Sequence, residues 1–311
     1  MFTPVKTKDG SSTFYSEVFG EWFHNREGAC REAQQTYIET SRLAQLVQRR
    51  LEAAGHESTP DSLKILDVCY GLGYNTAAAL ETIWQVDQTH RLPVEIRALE
   101  IDIEVARSAI AQNLIHAYPP AVQQTLQQLA AHSSIAQPNL NAAILLGDAR
   151  KQVHSLIQQH WQADIIFLDP FSPQNCPQLW TVEFLQQVAQ CLSPLNGLLI
   201  TYSCAAAVRI SLAAAGLTLG TLSTAARKWP GTMAAHSTSC WASMLPPLTQ
   251  QEQEHLQTRA AVPYRDPTLQ ATAEEILAHR SQEQHESNLL PTKPWRRRYT
   301  NRKQHTSQKE G

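Results

Sequence analysis

The central part of the chain alternates between short apolar segments and segments with helical periodicity, and this alternation limits the fold more than any other feature. Each of five apolar segments has the length and the Val, Ile and Leu content of a buried strand, and a helical pattern follows each one. Strands that alternate with helices form a parallel sheet covered on both faces. We therefore expect an α/β domain with a doubly wound, mostly parallel sheet built from LKILDV, VEIRALEI, NAAILLG, ADIIFLD and NGLLITYS.

The flanking segments complete the predicted organisation. Two more strands near residues 217–222 and 233–244 have no helix between them, which indicates an antiparallel strand that closes one edge of the sheet. Three parts are expected in order along the chain. They are an N-terminal segment and helix (1–60) that is a candidate lid, the sheet domain (61–245), and a helical, basic and partly disordered C-terminal tail (246–311).

Bulk properties exclude several classes of protein. The net charge is about −2 over 311 residues, so nucleic-acid binding would need a local basic patch. One candidate patch runs from Lys293 to Lys309, with seven basic residues, no acid, and Trp295 and Tyr299 between them. No segment has the length of a membrane span, and the first residues lack the apolar region of a signal peptide, so a cytoplasmic protein is expected.

Cysteine and histidine spacing predicts neither disulfides nor a metal site. The six cysteines are scattered and form no CxxC, and the twelve histidines show no HExxH spacing. Nothing in the sequence fixes the oligomeric state.

Ligands of doubly wound sheets bind at the carboxyl ends of the strands, so the residues at those ends are the first candidates for a site. The first strand ends in DVCYGLGYN, which holds Asp67, Gly71, Gly73 and Asn75. The glycines permit a tight turn close to a ligand, and the next helix directs its free N–H groups toward the same place. An ordinary strand-to-helix turn is an equal alternative for this piece alone.

An acid stands at the end of each of the next three strands. Glu100 suits the paired hydroxyls of a ribose, with Asp102 as its local competitor. Asp148 suits an adenine amino group, or it caps the helix that follows. Asp169 in FLDPFSP ends a buried strand before a proline-restricted loop, which makes it the strongest single indication of a site.

Taken together, these pieces have the layout of S-adenosylmethionine-dependent methyltransferases. A nicotinamide enzyme would usually carry a third glycine in the first turn, and this chain does not. Several longer segments resemble the methyltransferase domain of MnmC-type enzymes, which methylate the 5-aminomethyl group of the wobble (2-thio)uridine of tRNA. They are DVCYGLGYN, GDAR, FLDPFSPQNCPQLWT and TYSCAAAVRISLAAAG, together with HNREGACREAQQTYIE, RKWPGTM and VPYRDPT.

The resemblance implies a class I, Rossmann-like methyltransferase that uses S-adenosylmethionine on tRNA. Asp67, Gly71, Gly73, Asn75, Glu100 and Asp148 are then the expected cofactor residues. The chain departs from the best-known bifunctional members in two ways. They have Gly where this chain has Pro170, and they carry a flavin oxidoreductase domain for which this chain is too short. We therefore expect only the methyl-transfer half-reaction.

The expected substrate residues surround Asp169, which would accept N–H bonds of the substrate amine and aim its lone pair. Pro170 would stiffen the loop, and Phe171 would pack on the uracil ring or only within the loop. Tyr202 and Ser203, at the end of the fifth strand, would line the same cleft or only form a buried strand terminus. The expected contacts to tRNA phosphates come from Arg209, Arg227 and Lys228.

Rival interpretations remain at this point. A spermidine-synthase-like aminopropyltransferase, or another amine methyltransferase, would share the fold and the acids. A non-catalytic RNA-binding module would bind tRNA without the cofactor. An N6-adenine methyltransferase would need a second proline after DP, where this chain has Phe171.

Overall fold

The computed structural model describes residues 2–55, 58–224 and 229–306, with side chains as far as residue 299. The central sheet and two small hairpins are built from strands with the bounds β1 Val5–Lys6, β2 Ser12–Thr13, β3 Tyr15–Ser16, β4 Glu21–Trp22, β5 Leu63–Val68, β6 Val94–Glu100, β7 Ser134–Gln137, β8 Leu140–Leu146, β9 Ile165–Leu168, β10 Leu198–Thr201, β11 Leu217–Leu222 and β12 Gly231–His236.

Helices cover the sheet and extend the C-terminal part. Their bounds are α1 Ala29–Glu32, a π-helix Ala33–Ile38, α2 Glu39–Ser41, α3 Leu43–Ala54, α4 Tyr74–Val86, α5 Ile103–Ala111, α6 Pro120–His132, α7 Ala149–Gln158, α8 Val182–Gln190, α9 Ala206–Ala214, α10 Gln250–His255, α11 Ala273–Glu286 and α12 Thr292–Thr306. Two 3₁₀ turns lie at Pro177–Trp180 and Arg259–Ala261.

The central sheet has eight strands in the order β11-β12-β10-β9-β5-β6-β8-β7. The five central strands, β10, β9, β5, β6 and β8, run parallel. β12 lies antiparallel between β10 and β11. The antiparallel strand predicted here is therefore present, but β11 and not β12 forms the edge of the sheet. The expected doubly wound α/β fold is confirmed.

Three local predictions differ from the structure. The last strand ends at His236 and not near residue 244, because Thr238 and Ser239 bond to the carbonyls of Pro194 and Gly197 and hold a turn. β7 pairs antiparallel with β8 and was not predicted, since its four residues, SIAQ, include only one large apolar side chain. The single helix expected within residues 1–60 is divided by the π-helix and by Arg42, which has a left-handed backbone (φ 51).

The hydrophobic core has two layers, one on each face of the sheet. One layer packs the π-helix, α4, α5 and α6 against the sheet, and the other packs α7, α8 and α9. Because both faces are covered, the central strands are mostly apolar, although β6 also carries the partly exposed Glu95 and Arg97. The buried acids Asp67 and Glu100 stand at or next to the carboxyl ends of β5 and β6.

The direction of winding reverses between β5 and β9. From β5 the chain proceeds through β6 to β8 on one side, and it then returns to form β9 and β10 on the other side. The two neighbouring strands end in register, with Val68 opposite Leu168. Loops leave this point in opposite directions, and the crevice between them is where such sheets bind ligands.

Candidate active site

The glycine turn after β5 forms one wall of this crevice. Gly71 and Gly73 have positive φ values of 53° and 84°. A Cβ atom at Gly73 would lie 2.7 Å from the Tyr70 hydroxyl, so the turn requires glycine there on steric grounds as well. Helix α4 begins immediately afterwards and has no side-chain cap at its N-terminus. The backbone therefore presents N–H groups in the way that suits a polar ligand.

Asp67 is fully buried beneath this turn. Its Oδ2 accepts a hydrogen bond from the Thr76 hydroxyl (2.7 Å), whereas its Oδ1 has no partner among the described residues. Burial raises the pKa of the Asp67 carboxyl well above its ordinary value, and the nearby charges of Asp169 and Glu100 raise it further. A buried acceptor without a donor is costly in an isolated protein and suits a ligand that brings a donor.

Glu100 fastens the end of β6 to the glycine turn. Its Oε2 accepts the Gly71 N–H (2.8 Å), and its Oε1 accepts the N–H groups of Ile101 and Asp102 (2.9 and 3.0 Å). Burial raises the pKa of the Glu100 carboxyl, and these backbone bonds act in the opposite direction. The competitor Asp102 instead caps α5 through the Glu104 N–H.

Asp148 caps α7, one of the two roles that the sequence left open. Its carboxylate accepts the Arg150 N–H (3.0 Å) and also pairs with the Arg150 guanidinium (2.7 Å). The same guanidinium contacts the buried Asp266 at 2.8 Å, which ties the C-terminal part of the chain to the sheet domain. An adenine contact by Asp148 stays a prediction.

Asp169 forms the opposite wall of the crevice and is half-buried. Its backbone N–H bonds to the Val68 carbonyl (3.1 Å), which extends the β5–β9 pairing to the last residue before the loop. The Asn75 side-chain amide donates to Asp169 Oδ2 at 2.8 Å. The first turn of α4 therefore fixes the orientation of the carboxylate, and Asn75, expected among the cofactor residues, links the two walls.

Tyr37 is a residue of this site that the sequence did not reveal. It lies on the π-helix and is fully buried, with its ring 5.4 Å from that of Phe167. Its hydroxyl makes no hydrogen bond of good geometry within the described residues. Burial raises the pKa of Tyr37 well above its ordinary value, and the adjacent Asp169 charge adds to this. The periodicity alone made Tyr37 a core residue, and π-helices are frequent at functional sites.

Contacts from three directions hold the loop after Asp169. The Tyr202 hydroxyl donates to the Pro170 carbonyl (2.8 Å), and the Trp180 indole N–H donates to the Phe171 carbonyl (2.8 Å). From the N-terminal segment, the Glu21 carboxylate accepts the Ser172 N–H at 3.0 Å. The loop is therefore held by its hydrogen bonds as well as by its prolines.

Comparisons with known proteins decide which class of enzyme has this arrangement. Residues 107–237 match a family model described as S-adenosyl-L-methionine-dependent methyltransferase. The crystal structure of MNMC2 from Aquifex aeolicus is similar over 92% of this chain and 86% of that chain, with a TM-score of 0.76 and 29% identity. The bifunctional protein MnmC of Acidovorax sp., named for tRNA 5-methylaminomethyl-2-thiouridine biosynthesis, is 28% identical over 204 residues. This chain is an S-adenosylmethionine-dependent methyltransferase, and it is similar to proteins of the MnmC type.

The relatives of this methyltransferase differ in how much of their length it matches. A protein of Methanocaldococcus jannaschii described as uncharacterized, MJ0670, is 27% identical over 281 residues, which is 89% of this chain and 71% of the relative. The match to the Acidovorax MnmC covers 61% of this chain but only 29% of that protein. The methyltransferase therefore spans less than a third of the length of that bifunctional relative.

S-adenosylmethionine, the cofactor of this class, fits the residues of the crevice. The unpartnered Asp67 Oδ1 suits the ammonium group of its amino-acid part, and the uncapped start of α4 offers backbone N–H groups after the glycine turn. Glu100 lies at the end of the next strand, within reach of the same turn. Which of these residues contacts which part of the cofactor stays a prediction.

Several predicted substrate residues of the methyltransferase have other roles in the structure. Ser203 is buried, and its hydroxyl and carbonyl are bonded to the Ala205 N–H and the Thr232 hydroxyl, so it is a strand terminus. Arg209 is also wrong as a phosphate contact, because it is only 1% exposed and pairs with Glu252. Arg227 and Lys228 lie outside the described residues.

Phe171 follows the alternative of loop packing. Its ring stacks on Phe19 with centroids 4.7 Å apart and meets Phe23 edge-on at 4.9 Å. The N-terminal segment therefore covers this ring and lies over the loop. Pro170 and Tyr202 are joined to each other by the hydrogen bond that holds the loop. Contacts of either residue with a substrate stay predictions.

Among the described residues, no group of three or more histidine, cysteine, aspartate or glutamate side chains is placed to hold a metal ion. Within the same residues, no helix is long and apolar enough to cross a membrane.

Proposed function

We propose that this methyltransferase transfers a methyl group to the 5-aminomethyl group of wobble (2-thio)uridine in tRNA and gives the 5-methylaminomethyl product. The main support is the similarity to MNMC2 of Aquifex aeolicus along 92% of the chain. The name of the MnmC relatives refers to the biosynthesis of this nucleoside. A tRNA substrate would also make the protein cytoplasmic.

Asp67, Gly71, Gly73 and Glu100 would hold the cofactor at the carboxyl ends of β5 and β6. When bound, S-adenosylmethionine supplies an electrophilic methyl group, whose bond to sulfur breaks as the bond to the substrate nitrogen forms. The residues of the chain then have three tasks, which are to position the amine, to exclude water and to accept a proton.

Asp169 would perform the first and third of these tasks. Its carboxylate would accept an N–H of the neutral amine, which directs the nitrogen lone pair along the line of attack. After transfer the nitrogen carries an extra proton, and the same carboxylate is placed to take it. Orientation of this kind contributes roughly 7–11 kcal/mol toward lowering a barrier. The bond from Asn75 to Oδ2 would limit rotation of the carboxylate during this step.

The Pro170 position is where this chain departs from the best-known relatives. The Pro170 carbonyl accepts the Tyr202 hydroxyl, and proline restricts the backbone beside Asp169. We expect Pro170 to hold the Asp169 carboxylate in place and not to change the reaction. The hydrogen bond from Asn75 that orients this carboxylate does not involve residue 170, so it does not depend on which residue stands there.

Methyl transfer from labelled S-adenosylmethionine to tRNA with 5-aminomethyluridine at the wobble position tests the proposal directly. Unmodified tRNA is the control, and the product nucleoside is identified by mass. Label on the aminomethyl tRNA alone is the expected result. Equal label on both tRNAs, or none on either while the cofactor still binds, would overturn the assignment. Decarboxylated S-adenosylmethionine as the donor would then test aminopropyl transfer.

A further inference from the structure

Helix α12 is attached to the rest of the molecule through one side. The Trp295 indole N–H donates to the Gln251 carbonyl (3.0 Å), and its ring lies flat on His255 with centroids 3.8 Å apart and an interplanar angle of 5°. Arg298 pairs with Glu254 at 2.7 Å. Since all three partners belong to α10, the helix is docked on α10 by a tryptophan and an ion pair.

The rest of the helix is strongly basic. Residues 292–306 include six lysines and arginines and no aspartate or glutamate. Lys293 and Arg297 are exposed, and they are four residues apart, so they lie on the same side of the helix. The whole chain carries a net charge of only −2, so this density of positive charge is a local property. It provides the kind of patch that binds a polyanion.

The start of the helix lies at the catalytic edge of the sheet. The Trp295 ring is 6.2 Å from that of Trp229, which stands two residues before β12. β12 begins at the end where β10 finishes, with Thr232 opposite Thr201. The residue after Thr201 is Tyr202, whose hydroxyl holds the loop of Asp169. A continuous series of contacts therefore connects the basic helix with the loop that carries Asp169.

We propose that α12 is an RNA-binding element that contacts the phosphate backbone of the tRNA while its wobble nucleotide occupies the crevice. This rests on the proposed function for the identity of the RNA. Lys293 and Arg297 supply the positive charge. Trp295 is a positioning residue, because its stacking on His255 sets the distance between the charges and the crevice.

The test compares two charge reversals that differ in location. Arg297→Glu reverses a charge on α12. Arg49→Glu is the matched control, because Arg49 is also an exposed helical arginine. It lies at the opposite edge of the sheet, since the adjacent Arg50 bonds to the Ser62 carbonyl just before β5 begins. Equilibrium binding of tRNA is measured at several salt concentrations, together with the affinity for S-adenosylmethionine.

We expect Arg297→Glu to weaken tRNA binding about tenfold and the double variant K293E/R297E to weaken it further. The slope of log affinity against log salt should become less steep by about one for each phosphate that the variant no longer neutralises. Cofactor affinity and the Arg49→Glu control should match the wild type. Trp295→Ala should also lower tRNA affinity although it removes no charge.

The possible outcomes separate this inference from the proposed function. Equal tRNA affinity and equal KM for tRNA in the wild type and the double variant would overturn the inference, even if methyl transfer is found. Binding to anionic lipid vesicles that exceeds binding to tRNA would overturn it as well. Loss of tRNA affinity in Arg297→Glu, in a protein that methylates no wobble uridine, would support RNA binding by α12. It would overturn the proposed function and, with it, the placement of the wobble nucleotide in the crevice.

Discussion

Two groups of buried charged side chains lie near the carboxyl edge of the sheet, and they differ in how their charge is compensated. Arg209 donates to Thr232, to the carbonyls of Pro230 and Gly231, and to Glu252. Glu252 also accepts the Thr221 hydroxyl. This group, the Arg209–Glu252 cluster, contains one charge of each sign, and its polar atoms are bonded.

The second group consists of Asp67 and Glu100 below the glycine turn. Neither forms an ion pair with a lysine or arginine among the described residues, and their bonds come from a hydroxyl and from backbone N–H groups. A fully compensated buried charge is compatible with a structural role alone. Buried acids without a cation destabilise the isolated protein, and their presence at the winding reversal indicates that a ligand compensates them.

The largest effect is expected from replacing the acid across the crevice from the glycine turn. Asp169→Ala should lower kcat for methyl transfer about 10²- to 10⁴-fold, because the amine loses both its positioning and its proton acceptor. The affinity for S-adenosylmethionine should stay within about twofold, as a titration would measure. Asp169→Asn keeps the shape and should lose nearly as much. A kcat for Asp169→Ala near that of the wild type would exclude the proposed role.

Breaking the Arg209–Glu252 cluster should affect stability and not the chemistry. Arg209→Met leaves Glu252 buried without its cation and should lower the free energy of unfolding by about 3–5 kcal/mol. Urea denaturation followed by circular dichroism measures this. The double variant R209M/E252M should recover most of the loss. Equal stability of the single variant and the wild type would show that the cluster is not structural.

Asp67→Asn should have the opposite effect on stability. The pKa of Asp67 is raised in the folded protein, so the folded state binds the proton more firmly, and wild-type stability falls as the pH rises from about 4 through the raised pKa. The amide of the variant does not titrate, so this dependence disappears. Without cofactor, the variant should therefore gain about 1–3 kcal/mol over the wild type at pH 8, and less at pH 5.

Two measurements sharpen this prediction. The affinity of Asp67→Asn for S-adenosylmethionine should fall, since the carboxylate that compensates the ligand is lost. The control is Asp164→Asn, in which a buried acid that pairs with Arg50 at 2.6 Å is removed. That variant should be less stable than the wild type. We expect Asp67, which has no cationic partner among the described residues, and Asp164, which pairs with Arg50, to differ in this way. A loss of stability in both Asp67→Asn and Asp164→Asn at pH 8 would contradict that difference.

The smallest effect is expected at Tyr37. Tyr37→Phe removes a buried hydroxyl that has no well-formed hydrogen bond in the described structure, so the free energy of unfolding should be unchanged or slightly higher. The hydroxyl lies beside Asp169, and its loss should lower kcat about three- to tenfold if it steadies the carboxylate when the amine binds. Unchanged kcat in stopped-time assays would make Tyr37 a core residue only.

Much of the fold could be predicted because it depends on periodicity. The strands β5 and β11 have the predicted bounds, since their apolar runs are clearly marked in the sequence. The four acids and the glycine turn could be assigned to one edge because parallel strands place their carboxyl ends together. No such rule identified β7, whose pairing depends on a neighbouring strand.

The roles of the site residues were only partly predictable, because they too depend on contacts between distant parts of the chain. Burial and pairing are properties of the folded chain, so the sequence could not show that Arg209 pairs with Glu252, 43 positions away, or that Ser203 is buried. The contact between Tyr37 and Asp169 depends on a π-helix that shifts the helical register, and no simple periodicity encodes it. Phe171 was left with two roles, and only the position of Phe19 separated them.

The hydrogen bond between Glu21 and the Ser172 N–H joins residues 151 positions apart, and it has a consequence for folding. Contacts of such sequence separation are slow to form and contribute to a high contact order. Residues 2–28 form only two-residue strands joined by loops. Their docking on the loop after Asp169 is therefore expected to be among the last events of folding and among the first to reverse on unfolding. In a gentle denaturant titration, methyl transfer should therefore be lost before the circular dichroism signal of the sheet and helices changes.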